Sequence, residues 1–345
     1  MTRGLSTSVL LAIISAFSGS EASAITQNCS AFTTDAGSAF THHRFYDFRN
    51  LSRDAGPSSA GSVSPALSRT VGDYWTTDWE VSNIFKWEAH PGWAPILYSP
   101  ESVDRKDNGD GSLLELTTTQ LKNGTQKSAE LIYREYNITT LSLRILARIT
   151  GSPGACAGFF TYYNDTQETD IEVVTRDPVD MFHGSNQPTY DGQERPIPDT
   201  SFNISMTTNN AGKSREEWNT YRLDWIPGQS SFYLNGVQLA QTGKNVPFEE
   251  SRLIISMFGN GGSWSGPMEV GMDATLEVQW IQFAFNSTSA SPGSDGVICN
   301  IDDPNFIKDL PPPDSIEDSG QPHSAVPFLK LIVLFVSVYG IIIFF

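Results

Sequence analysis

Thr161-Tyr162-Tyr163-Asn164-Asp165-Thr166-Gln167-Glu168-Thr169-Asp170-Ile171-Glu172-Val173-Val174 is the stretch on which the fold turns. Within it Glu168, Asp170 and Glu172 recur with period two among Tyr, Thr, Ile and Val, residues that form strands better than helices. That period places the three carboxyls on one face of one strand and Ile171 and Val173 on the other. Three like charges on one face repel, and an ordinary sheet interleaves lysine or arginine there. None occurs between Phe159 and Thr175. A solvated edge can carry an acidic run, but Phe159, Phe160, Tyr162 and Tyr163 lead straight into this one. The strand therefore reads as buried on one side, with the acids kept for chemistry.

Crowding pushes at least one of three adjacent carboxyls toward its neutral form near neutral pH. One strand then supplies both an ionised nucleophile and a protonated donor, the pair that glycoside hydrolysis uses. On a straight strand the alpha carbons of residues four apart lie about 13 Å from each other, whereas a retaining pair needs carboxyls roughly 5–5.5 Å apart. A curved, concave sheet with two long glutamates leaning over the shorter aspartate closes most of that gap.

The pattern Glu-x-Asp-x-Glu at Glu168–Glu172 resembles the active-site strand of glycoside hydrolase family 16, and further stretches are similar in order and spacing to its fungal, lipid-anchored type. They are Phe45-Tyr46-Asp47-Phe48-Arg49, Trp79-Glu80, Asp110-Gly111 before Ser112–Thr118, and Gly158-Phe159-Phe160. Downstream come Trp218–Trp225, Phe232-Tyr233-Leu234-Asn235-Gly236, Val246-Pro247 and Leu276–Phe285, so the resemblance covers roughly residues 40–290. It implies an all-β fold, a concanavalin-like jelly-roll sandwich of two curved antiparallel sheets. By it Glu168 is the nucleophile, Asp170 orients and tunes it, and Glu172 is the general acid/base. Tyr162, His183, Asn186 and Gln187 would line the cleft and bind substrate. Trp264, presented by the glycine-rich loop Gly259–Gly266, would stack on a sugar ring at the rim.

The regular spacing, with Ile171 alone between Asp170 and Glu172, goes in the family with mixed-linkage glucanases and wall transglycosylases. A version bulged by one residue goes with laminarinases. The expected activity is thus a secreted, retaining endo-β-glucanase on β-1,3/1,4-linked glucan. The alternatives are a cell-wall transglycosylase, a non-catalytic lectin on the same fold and a structural wall protein, and a lectin has no use for three uncompensated acids.

Acidic residues number 39 against 22 basic ones, for a net charge of −17, which argues against nucleic acid as a partner. A neutral β-glucan needs only hydrogen bonds and aromatic faces. No cofactor and no metal is expected. Asp107-Asn108-Gly109-Asp110-Gly111 lacks the alternating acids and closing glutamate of a calcium loop, and Gly259–Gly266 does not match a dinucleotide loop. The chain divides into a signal peptide over 1–24, a catalytic domain over 25–300, a Pro-rich acidic spacer over 301–324 and an apolar tail over 325–345. The tail carries no basic residues after it, which reads as a glycosylphosphatidylinositol signal on a monomeric cell-surface protein. Seven Asn-x-Ser/Thr sites stand at Asn28, Asn50, Asn123, Asn137, Asn164, Asn203 and Asn286.

Of three cysteines, Cys29 and Cys299 bracket the domain and a bond between them leaves Cys156 a buried thiol, with other pairings open. Residues 25–41 read as polar chain, Ser52–Thr70 as a long loop, and Trp75–Trp93 as a rim segment or short strand. Leu113–Thr118, Ala129–Tyr136 and Leu141–Ile149 read as strands. In the last, Arg144 and Arg148 face either the cleft or solvent.

Overall fold

A computed structural model describes residues 29–49, 78–107, 111–289, 296–303 and 306. The signal peptide, the sequons at Asn28 and Asn50, the Ser52–Thr70 loop, Trp75, the 108–110 turn, and the spacer and tail from 307 onward lie outside the described residues.

Two antiparallel sheets pack face to face. The inner sheet runs Ser201–Ser205, Met181–Asn186, Gln167–Val174, Cys156–Asn164, Arg252–Phe258, Gln126–Tyr133 and Trp79–Val81, so the acid-bearing strand has two strands on one side and four on the other. The outer sheet is built on two long strands, Ile138–Gly151 and Asp273–Ser287. Asn219–Ile226, Gln229–Leu234 and Val237–Thr242 extend it on one side, while His42–Asp47 and Ser112–Gln120 share the far edge of Asp273–Ser287. The hairpins follow local chemistry. Gly228 takes φ +75° after Pro227, and Asn235-Gly236 takes two positive φ values of 48° and 82°, as a two-residue hairpin turn requires.

The core lies between the sheets and is written in period two. Leu141, Leu143, Ile145, Ala147 and Ile149 are buried against Phe159, Ile171, Val173 and Phe182 of the inner sheet. Tyr221 of the outer sheet reaches Phe159 and Phe182 with ring centroids 5.5 and 5.9 Å apart. This is the sandwich expected from the sequence.

Two details differ from expectation. The polar segment before residue 41 is not irregular: Cys29–Thr33 pairs with Ala39–Phe40 and, in parallel, with Val297–Asn300, forming a small third sheet from both ends of the domain. The Cys29–Cys299 disulfide, the first of the pairings the sequence offered, closes it, and Cys156 is left a buried free thiol as that pairing implies. Neither Arg144 nor Arg148 faces the cleft, because both lie on the outer sheet; Arg144 is buried, and Arg148 is partly in solvent, its side chain 36 % exposed. Arg144 and Arg222 both grip Asp302, Arg222 also pairs with Asp224 at 2.7 Å, and Arg148 pairs with Glu277 while resting on the Trp218 ring. Arg144 and Arg222 therefore fasten the C-terminal segment to the sandwich.

Candidate active site

Strand pairing assembles the site. Glu168, Asp170 and Glu172 stand opposite Tyr162, Phe160 and Gly158 on one neighbour, and on the other Asp170 faces Ser185 and Glu172 faces His183. The register is unbroken from Glu168 to Val174, so no bulge interrupts the three acids. Thr169, Ile171 and Val173 point the other way and are fully buried. The three carboxyls consequently share one face, with Gly158 offering no side chain beside Glu172.

The carboxyls differ in environment. Asp170 is almost wholly buried; its Oδ2 accepts from Ser185 Oγ at 2.8 Å and, at the limit of contact, from Gln187 Nε2 at 3.5 Å. Its Oδ1 is buried without a donor among the described groups. The Glu168 and Asp170 carboxyls lie near enough to couple through a shared proton, Asp170 raising Glu168 and Glu168 lowering Asp170. Burial pushes Asp170 up to about 6, against the pull of Glu168, Ser185 and Gln187. Burial first and the Asp170 charge next raise Glu168 as well. Glu172 is pushed up to about 8 by burial and then by Asp170, while the Cys156 thiol, 3.3 Å from its Oε1, and the nearby Trp264 indole oppose the rise. At neutral pH the face therefore carries protons as well as charge.

The binding residues expected from sequence divide. Gln187 touches Asp170, and its backbone N–H donates to the Glu168 carbonyl at 2.9 Å. Tyr162 stands beside Glu168 and donates to Asp165 at 2.8 Å. Trp264 is 41 % exposed, and its indole lies near enough to Glu172 to oppose the rise of its pKa, so the ring stands beside the acid strand.

His183 and Asn186 depart from expectation. Both ring nitrogens of His183 are occupied, by Asp177 at 2.6 Å and Asn203 at 2.9 Å, which leaves none for a sugar; its ring instead supports Trp264, edge to face at 4.7 Å. Asn186 pairs with Thr169 rather than with an acid, is fully buried on the opposite face and donates to the Lys244 carbonyl. It does not reach the cleft. Sequence reasoning passed over Ser185, the residue on the acid face of that strand, although alternation from His183 gives it directly. It also left Cys156 as a bare buried thiol, whereas its Sγ lies 3.3 Å from Glu172 Oε1. That contact needs a register between strands and had no local signal.

A family model described as glycosyl hydrolases family 16 matches residues 93–282. The β-glucanases of Paenibacillus macerans and Paenibacillus polymyxa are each 24% identical to this chain, over 238 and 237 residues. Those alignments cover 61% and 60% of this chain and 96% and 94% of theirs. Among solved structures, a prokaryotic β-1,3-1,4-glucanase (lichenase) derived from a mouse hindgut metagenome is similar at 14% identity and TM-score 0.49, covering 70% of this chain and 98% of its own. The laminarinase from Rhodothermus marinus is similar at 16% identity and TM-score 0.46, covering 72% and 97%.

Proposed function

This chain belongs to glycoside hydrolase family 16 and is a glycoside hydrolase, and on that premise we propose that it cleaves β-glucan by a retaining double displacement on the Glu168–Glu172 face. The observation that carries the proposal is three carboxyls on one unbulged strand with unequal surroundings: Asp170 held by Ser185 and Gln187, Glu172 met by the Cys156 thiol with Trp264 nearby.

In the first step the proton shared by Glu168 and Asp170 rests on Asp170, and the freed Glu168 carboxylate attacks the anomeric carbon. Glu172 gives its proton to the glycosidic oxygen, which leaves with the bonding electrons as an alcohol. In the second step Glu172, now ionised, takes a proton from water while the water oxygen displaces Glu168 from the sugar. Transfer to another glucan hydroxyl in place of water gives transglycosylation by the same geometry.

The unbulged register supports linear glucan with 1,4 or mixed linkages. The open face of Trp264, beside the acid, is the stacking surface for a ring bound across it. Proton NMR of the first product released from mixed-linkage glucan tests the mechanism: the β-anomer appears first if configuration is retained, and the α-anomer appearing first overturns it. Cleavage of pure β-1,3-glucan in strong preference, with no transfer to a labelled acceptor, overturns the linkage assignment. We extend the proposal to location, because the N-terminal and C-terminal sequences read as a secretion signal and a lipid-anchor signal. Release from membranes by a phosphatidylinositol-specific phospholipase tests it, and an intact Phe345 on the membrane form refutes it.

A further inference from the structure

Cys156 has no part in the steps above, yet its thiol meets the group that performs them. It is fully buried and outside any disulfide. Of its two acceptors, Glu172 Oε1 at 3.3 Å is nearer than the Ala157 carbonyl at 3.8 Å. Strand pairing explains the approach. Gly158 stands opposite Glu172, Cys156 lies two residues earlier on the same face, and the missing side chain at Gly158 opens the diagonal between them. Trp264 lies with its indole near the same carboxyl and near Cys156, and it opposes the rise in the pKa of each. Its indole is supported by His183, which Asp177 and Asn203 hold in place.

We propose that Cys156 is a positioning residue for Glu172: its thiol and the Trp264 indole N–H form a pair of donors that aims the carboxyl and stabilises its anion between proton donation and proton recovery. The inference rests on the reading of Glu172 as acid/base. An indole N–H only donates. The thiol also keeps its proton, because burial and then the neighbouring Glu172 raise its pKa well above the ordinary value. Two permanent donors favour the carboxylate, and burial with the Asp170 charge favours the acid. The titratable groups around Glu172 are Asp170 and Glu168 on its own strand, Cys156 on one neighbouring strand, and His183 with Asp177 on the other side. Tyr98 and Glu130 lie beyond Cys156, and Tyr98 stays protonated because burial raises it well above its ordinary value.

Two measurements test this on the folded protein. Glutamate labelled with carbon-13 at Cδ, with Glu172→Gln to assign the signal, reads the Glu172 pKa by NMR. In Cys156→Ala it should rise by several tenths to about one unit. The alkaline limb of kcat/KM should move up equally with KM little changed, and Cys156→Ser should restore both. Cys156 is the free thiol beside one disulfide in a chain with three cysteines, so the infrared S–H stretch of the unsubstituted protein belongs to it. That stretch should lie below that of a free thiol and move in Glu172→Gln, a readout that survives if Cys156→Ala fails to fold. A stretch indifferent to Glu172→Gln, or a Glu172 pKa unmoved in Cys156→Ala, overturns the proposal. Wild-type protein inert on every β-glucan overturns the function itself, whereas active protein with an unmoved pKa removes only this inference.

Discussion

Replacing Glu168 or Glu172 with glutamine keeps size and shape while removing the charge and the transferable proton. Turnover should fall by about 10²–10⁴-fold in each variant, with the melting temperature close to wild type. Asp170→Asn should lose less, because Ser185 and Gln187 still hold the side chain in place. Kinetics on a defined glucan, paired with circular dichroism, checks all three. The pH response has a fixed sign. In the proposed mechanism Glu172 acts first as an acid, and it is raised to about 8, so activity should fall as pH rises through that value. Stability follows the same direction. Above the ordinary glutamate value of 4.5 the unfolded chain has released protons that the native cluster still binds, so stability is full below that pH and declines as pH rises through the folded values of about 6 and about 8. Melting temperatures at pH 5 and pH 9 should differ in that sense, and Glu172→Gln should narrow the difference.

At the scale of the element, the acid strand stays in place because its apolar face and that of its neighbour are packed tightly. Gly184, on the adjacent strand and on the core side, admits the Phe232 ring so closely that an added Cβ would lie 2.6 Å from it. Phe232 is fully buried and has nowhere to retreat. Gly184→Ala should therefore lower stability by about 1–3 kcal/mol, read as a shift in denaturant midpoint. The flanking Ser185 and His183 move with that strand, so the variant should also weaken turnover. A similar lock acts on the loop bearing Trp264, where a Cβ on Gly262 would lie 2.7 Å from the Trp93 ring.

Across the whole molecule, the two ends of the domain are joined to each other and then to the sandwich. The Cys29–Cys299 bond spans 270 residues of sequence, and Ile301 and Phe306 pack with Phe40 and Ala284 beneath it. Reducing the bond should lower stability by about 2–4 kcal/mol. Asp302 is the ionic counterpart. Burial raises its pKa, but Arg144 and Arg222 outweigh burial and hold it below the ordinary carboxylate range. Asp302→Asn would leave Arg144 buried without its carboxylate, and should lower stability by about 3 kcal/mol while leaving the cleft unaltered. Thermal unfolding with and without reductant, and of the variant, measures both effects. Retained kcat per folded molecule would show that the clamp serves stability alone.

Local period determined most of what could be read without a structure. Alternation placed Glu168, Asp170 and Glu172 on one face and Ile171 and Val173 on the other, and it placed Leu141–Ile149 in the core, because side-chain direction along a strand depends only on counting by two. Asn235-Gly236 and Pro227-Gly228 announced their hairpins because turn backbones select those residues. The same count would have exchanged Asn186 for Ser185. What it could not supply is register between strands far apart in sequence. That Arg144 meets Asp302 rather than a sugar, that Cys29 takes Cys299, that His183 spends both nitrogens on Asp177 and Asn203, and that Cys156 and Trp264 converge on Glu172 are long-range outcomes. They follow from how two sheets slide and stack to bury one shared core, and no stretch of the chain carries that information by itself.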